Sequence, residues 1–169
     1  DGTGTVTLGT ATDTAGNAIT STPTSGATFT VDNTAPTLTA VTQVSTPSTD
    51  TTPSFVFTTD EAGTITTNIT EGFSTTTSAS TGSNQTITFD TLGEGTYTGK
   101  TVTVTDAAGN AGSITMADFV IDTTAPTAAI TYSSTGPYKQ DDTVTITATF
   151  TEAMATTPKI AISGVSSIA

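Results

Sequence analysis

Two phrases of this chain occur twice. "TDTAGNAI" stands at Thr12 to Ile19 and "TDAAGNAG" at Thr105 to Gly112. Each is followed by a second phrase, "FTVDNTAPT" at Phe29 to Thr37 and "FVIDTTAPT" at Phe119 to Thr127. Asp13 and Asp106 are 93 residues apart, as are Asn17 and Asn110, while Pro36 and Pro126 are 90 apart. A period near 90 is too long for a solenoid unit. It is the length of a small β-sandwich repeated in tandem. The "TAPT" segments then read as linkers, where Pro favours extended chain at the junction.

Composition agrees with strands. Thr occurs 50 times in 169 residues, and β-branched side chains suit pleated strands while crowding helices. Alternation and turn residues mark strands at 37–44, 54–60, 63–70, 85–91, 96–106 and 113–122. The expected fold is all-β: tandem immunoglobulin-like β-sandwich domains, one complete (36–125) and two partial. Residues 1–35 are the C-terminal part of one domain and 126–169 the N-terminal part of a further one. A counterpart of residues 80–93, which hold the expected strand "QTITFDTL", occurs in neither partial stretch. The chain therefore reads as a window on a longer array, in keeping with its lack of an initiator Met or signal peptide. Exchange of half-domains between neighbouring chains stays open, though such a shared domain would lack a strand. Tyr97, in "LGEGTYT", sits where sandwiches often place a corner tyrosine; a half-buried strand tyrosine is the plainer alternative.

Charge narrows the partners. Fifteen acidic residues face three lysines, Lys100, Lys139 and Lys159, for a net charge of −12. Such a surface repels phosphate backbones and anionic lipid and attracts divalent cations. No run of about 18 apolar residues marks a membrane span. With no Cys there is no disulfide framework, so reinforcement falls to packing or metal. With neither His nor Cys, the common nucleophile–base pairs cannot form. Asp60–Glu61 and Asp141–Asp142 lie in expected turns without aromatic sugar platforms nearby, which argues against glycoside chemistry. Enzymatic activity is not expected. A Thr ladder for ice is set aside too, because such faces use short, regular repeats.

"TPSFVFTTDEAGTIT", "GTYTGKTVTVTDAAGNAG" and "FVIDTTAPT" resemble the Ig-like tandem repeats of large prokaryotic surface proteins, including surface-layer (S-layer) proteins and biofilm-type adhesins. "DTVTITATFTEAMATTPKIAISG", Asp142 to Gly164, is similar to a second repeat subtype of archaeal surface-layer proteins, those of ammonia oxidisers included. The resemblance implies an extracellular, non-enzymatic structural segment at the cell surface or wall. Its partners would be flanking Ig-like domains and neighbouring copies, in a lattice or, alternatively, in an adhesin stalk whose binding domain lies elsewhere. It also implies calcium at loops and junctions.

The residues suggest where. If "TTDEAG" and "TDAAGNAG" form the BC and FG loops, both face the incoming linker, gathering Asp32, Asp60, Glu61, Asp106 and Asn110 at one junction. Calcium takes about six to eight oxygen ligands, and a divalent ion turns repulsion among carboxylates into attraction. Asp122 and Glu152 would serve the next junction, and Asp13 and Asn17 the one upstream. The alternative is a hairpin turn in which Gly–Asn tolerates positive φ and Asp caps the loop. Asn68 ("NIT") and Asn84 ("NQT") fit the glycosylation sequon. With five Asn and 65 Ser or Thr, chance alone supplies about two such sequons, so they carry little weight.

Overall fold

The computed structural model describes residues 1–7, 9, 11–19, 27–73, 77–139 and 141–162. These residues form strands and loops, with no helix among them. They fall into two compact units, Asp1–Thr123 and Thr124–Ala169.

The first unit holds a seven-stranded, immunoglobulin-like sandwich. One sheet consists of β3 (Leu38–Thr42), β4 (Ser54–Thr59) and β7 (Gln85–Thr88), in that order. The other runs β10 (Ala111–Thr115), β9 (Thr101–Thr105), β5 (Gly63–Thr67) and β6 (Ser78–Ala79). All named pairings within these sheets are antiparallel. Alternation fixes which side chains point inward. β4 buries Phe55, Phe57 and Thr59, and β9 buries Val102 and Val104 while its threonines stay half-exposed. Facing side chains of both sheets merge into one core, with Ile65, Ile87, Phe89, Leu92, Phe119 and Ile121 almost fully enclosed. All of this core lies between Val44 and Ile121, so the central stretch carries its own hydrophobic stabilisation.

The two long strands expected at 96–106 and 113–122 are each interrupted. β8 (Gly95–Tyr97) pairs with β11 (Phe119–Ile121), and β9 pairs with β10. Thr101 faces Thr115 and Tyr97 faces Phe119, four residues earlier in one strand and four later in the other, so the antiparallel register survives the gap. The break is hydrogen-bonded from the side. Thr101 N donates to Asn68 Oδ1 at 2.8 Å, Asn68 Nδ2 donates to Gly99 O at 3.2 Å, and Gly99 N donates to Asp118 Oδ1 at 3.2 Å. Asn68 therefore has a structural role that its sequon did not reveal, whereas Asn84 is exposed in the turn before β7. β6 was not expected from the sequence, being only two residues long.

Tyr97 is a corner tyrosine. Its hydroxyl donates to Gly93 O at 2.9 Å, and its ring stacks on Phe119 with centroids 4.9 Å apart. Ahead of the sandwich, β1 (Gly2–Thr5) pairs with β2 (Thr28–Val31). In the second unit β12 (Ala128–Tyr132) pairs with β13 (Ile146–Phe150).

Tyr97→Phe is expected to lower the stability of the sandwich by about 1 kcal/mol, the net worth of one hydrogen bond. Asn68→Ala should cost more, since it leaves Thr101 N and Gly99 O without their partner. Urea unfolding of both variants checks the order, which fails if Tyr97→Phe is the more damaging.

Candidate functional site: an acidic linker junction

The repeated turn is built the same way in both copies. Asp13 Oδ1 accepts from Ala15 N (2.9 Å) and Asn17 N (2.8 Å), and its Oδ2 accepts from Asn17 Nδ2 (2.8 Å). Asp106 Oδ1 accepts from Gly109 N (2.7 Å) and Asn110 N (2.8 Å), and its Oδ2 from Asn110 Nδ2 (2.9 Å). The turn needs one residue at positive φ, and Gly supplies it: Gly16 at 91° and Gly109 at 96°. Asn17 and Asn110 do not adopt positive φ. Their role is to return a side-chain amide to the Asp, so the Asp–x–x–Gly–Asn spacing closes a caged loop. Donation from the Asn side chain, with help from backbone amides, holds the carboxyls of Asp13 and Asp106 below the usual range.

The Asp106 loop reaches beyond itself. Asn110 Nδ2 also donates to Asp32 O at 3.2 Å, in the linker that enters the sandwich. The β4–β5 loop grips the same linker a few residues on. Thr37 N donates to Asp60 Oδ1 at 2.6 Å, and Asp60 N donates to Thr37 O at 3.3 Å. The bond from Thr37 N lowers the Asp60 pKa. Between these points Pro36 is buried. A Cβ on Gly112 would lie 1.6 Å from Pro36 O, so only glycine lets β10 come this close to the linker.

The linker is held from the other side as well. Asn33 N donates to Asp1 Oδ1 at 2.6 Å, Thr34 Oγ1 donates to Asp1 Oδ2, and Thr34 N donates to Asp32 Oδ1 at 3.1 Å. Glu94, which aligns with Asp1 at the 93-residue offset, accepts from Thr123 N (3.3 Å) and Thr123 Oγ1 (2.9 Å). Sequence reasoning missed Asp1 and Glu94. The signal was present: an acid followed by Gly–Thr opens both copies, as "DGTGT" and "EGTYT".

Of the expected cluster, Asp32, Asp60 and Asp106 lie near enough to Glu61 for their like charges to act on it. Glu61 is half-buried, and burial pushes its carboxyl above its ordinary 4.5, with the charges of Asp32, Asp106 and Asp60 adding to the rise. Glu61 Oε2 is buried and has no hydrogen-bond partner. Among the described residues, no three acidic side chains are grouped so that they could hold a metal ion. Asp13 and Asn17 are exposed and bonded within their own turn. Asp122 is half-buried beside a small cavity of about 150 Å³ with Pro47, Ser48 and Thr49. Glu152 belongs to the second unit, where Thr151 takes the position of Asp60: Thr127 N donates to Thr151 Oγ1 at 2.9 Å.

Residues 34–123 match the family described as the bacterial Ig-like domain. The match covers more than half of the chain, which belongs to that family. No curated protein and no solved structure matches it. Domains of this kind are common in surface and extracellular proteins and are typically non-enzymatic. No helix among the described residues is long and apolar enough to cross a membrane.

Two outcomes are expected. Gly112→Ala forces Pro36 off β10 and should destabilise the sandwich by about 1–3 kcal/mol, the usual cost of overpacking; an unchanged melt would contradict the close approach. In chelator, the carboxyls with lowered pKa contribute stability that is present above 3.8 and lost as pH falls further. Glu61 works the other way: its contribution is full below 4.5 and is lost as pH rises through its raised value. Melting temperature against pH should show both limbs, and Glu61→Gln should abolish the decline on the alkaline side.

Proposed function

We propose that this member of the bacterial Ig-like domain family is a non-enzymatic structural segment of a large cell-surface protein, a surface-layer lattice component, whose domain junctions are stiffened by calcium. The observation that carries the reading is the linker gripped by acidic loops, with an unpartnered Glu61 oxygen among them. A connection between domains ordinarily permits motion. Here Asp1, Asn110 and Asp60 each hold a backbone group of the linker within six residues. Every tie involves a carboxylate or its amide partner, so the ties that order the junction also concentrate negative charge.

Those donors suit a hard cation. Calcium takes carboxylate, amide and backbone oxygens, and Asp32, Asp60, Glu61, Asp106 and Asn110 supply them. One oxygen among them has no other partner: Glu61 Oε2, which is buried. Asn110 would offer its Oδ1, since its amide nitrogen serves Asp106 and Asp32. Bound calcium would supply neutralising charge. The chain's own residues order the linker and keep the loops beside it. An ion that binds only the docked junction stabilises it by mass action. Asp122 and Glu152 would contribute at the following junction, and Asp13 and Asn17 at the preceding one.

A stiff, acidic, calcium-dependent module fits an extracellular setting where the ion is plentiful. Copies would lie side by side in a lattice, with cations bridging their acidic faces. The same stiffness would serve the spacer of an adhesin.

Calorimetric titration of the chain with calcium tests the proposal. Binding in the millimolar range or tighter is expected, with a rise in melting temperature of several degrees at saturation. Asp32→Asn and Glu61→Gln should each weaken binding at least tenfold, and Glu61→Gln should raise the melting temperature in chelator by relieving repulsion. Identical melts in calcium and chelator, with no heat of binding, would overturn the calcium reading and leave hydrogen bonds alone to hold the junction.

A further inference from the structure

Two glycosylation sequons lie in the central domain. Their number does not separate them, but their surroundings do. Asn68, followed by Ile69 and Thr70, has both ends of its amide occupied. Its Oδ1 accepts from Thr101 N at 2.8 Å, and its Nδ2 donates to Gly99 O at 3.2 Å. These bonds fasten the break between β8 and β9, and a substituent on Nδ2 would have to fit against that break. Asn84, followed by Gln85 and Thr86, is exposed, and no hydrogen bond among the described residues holds its side chain.

The turn that carries Asn84 is itself firmly held. Gln85 is 7 % exposed, and its Nε2 donates to Ser80 O at 3.1 Å and to Ser83 O at 3.0 Å, closing the turn from within. Gly82, at a φ of 68°, donates its N–H to Thr59 O at 2.9 Å, which ties the turn to the end of β4. Side chains alternate along extended chain. With Gln85 turned inward, Asn84 and Thr86 share the outward side, and both are exposed. A glycosylating enzyme must reach the Asn amide and the hydroxyl residue two positions on. This segment presents both on one side, with Gln85 anchoring the backbone beneath them.

We propose that Asn84 carries an N-linked oligosaccharide and that Asn68 does not. In the transfer, Asn84 Nδ2 bonds to the sugar C1 of a lipid-pyrophosphate-linked oligosaccharide. The bond from that carbon to the phosphate oxygen breaks, and the lipid pyrophosphate leaves with the electron pair. The amide gives one proton to a base of the transferring enzyme. The position gives the glycan a role. Among the described residues β7 is the edge strand of its sheet, and Gln85–Thr88 holds no charged residue and no proline. Edge strands are ordinarily guarded against pairing with another chain by such residues or by a covering group. A bulky, hydrophilic substituent on the residue before β7 supplies that guard. The inference rests on the surface location in the proposed function and not on calcium at the junction.

Glycopeptide mapping by mass spectrometry, on the protein isolated from its own cells, tests it. The expected result is an oligosaccharide mass on the peptide that contains Asn84, with Asn68 unmodified. Asn84→Gln, produced in the same cells, should lose the whole added mass and keep its melting temperature. Thr86→Val removes the hydroxyl that the sequon needs and should lose the mass with Asn84 still in place. Thr70→Val cancels the other sequon while sparing the hydrogen bonds of Asn68, and should retain the mass. Unmodified Asn84, sugar on Asn68, or an added mass that survives Asn84→Gln would each overturn the inference. The share of the protein at the cell surface is measured on the same cells. Its absence there would overturn the location and not the glycan, which is read from the mass alone.

Discussion

The organisation of the first unit depends on the hydrogen bonds that fasten the linker at 32–37. Its backbone is bonded on one side by the carboxylate of Asp1 and on the other by Asn110 and Asp60. Backbone groups left unpaired against a buried surface are costly. A linker that buries Pro36 therefore needs such partners. Carboxylates are well suited because each can accept several donors, and bonds to an ionised acceptor are stronger than neutral ones. The consequence is charge. A junction ordered in this way collects acids, and the charges of Asp32, Asp106 and Asp60 add to the rise that burial imposes on the Glu61 pKa.

The sandwich holds the acidic loops in place. The aromatic residues of β4, with Ile65, Val102 and Val104 from the facing sheet, form a core that sets the β4–β5 turn and the β9–β10 turn at the same end. Thr59 extends that order into the first loop, donating through Oγ1 to Glu61 O at 2.9 Å. Gly112 lets β10 approach Pro36. Core, glycine and caged turn thus have one structural result: a linker lying where both loops can reach it.

Much of this was legible in the sequence, because the relevant signals are local and repeated. Alternation in "SFVFTT" and "TVTVT" located β4 and β9 and their buried sides. The repeat itself suggested a period near 90 residues, and Tyr97 was placed by its position after "LGEG". The breaks between β8 and β9 and between β10 and β11 were not legible. They depend on Asn68 and Asp118, which act across strands and leave no periodic trace. Asn68 stood out in the sequence only for its sequon, whereas its side chain is occupied with Thr101 N and Gly99 O. In the repeated turn, the Asp cap matches the hairpin reading that stood as the alternative to metal binding, but there Asn was credited with a positive φ that only Gly adopts in the turn. Asp1 and Glu94 escaped notice because each bonds a linker about 30 residues away, a distance at which spacing alone says little.

Amide hydrogen exchange of the linker, followed by NMR, tests the clamp most directly. If the linker is held as described, the amides of Asn33 and Thr37 exchange at least about a hundredfold more slowly than exposed loop amides, as backbone donors with lasting partners should. Asp60→Ala, which removes the acceptor, should release Thr37 while leaving Asn33 protected. Exchange of both amides at the rate of unstructured chain would contradict the clamped junction, and with it the stiffness on which the structural role rests.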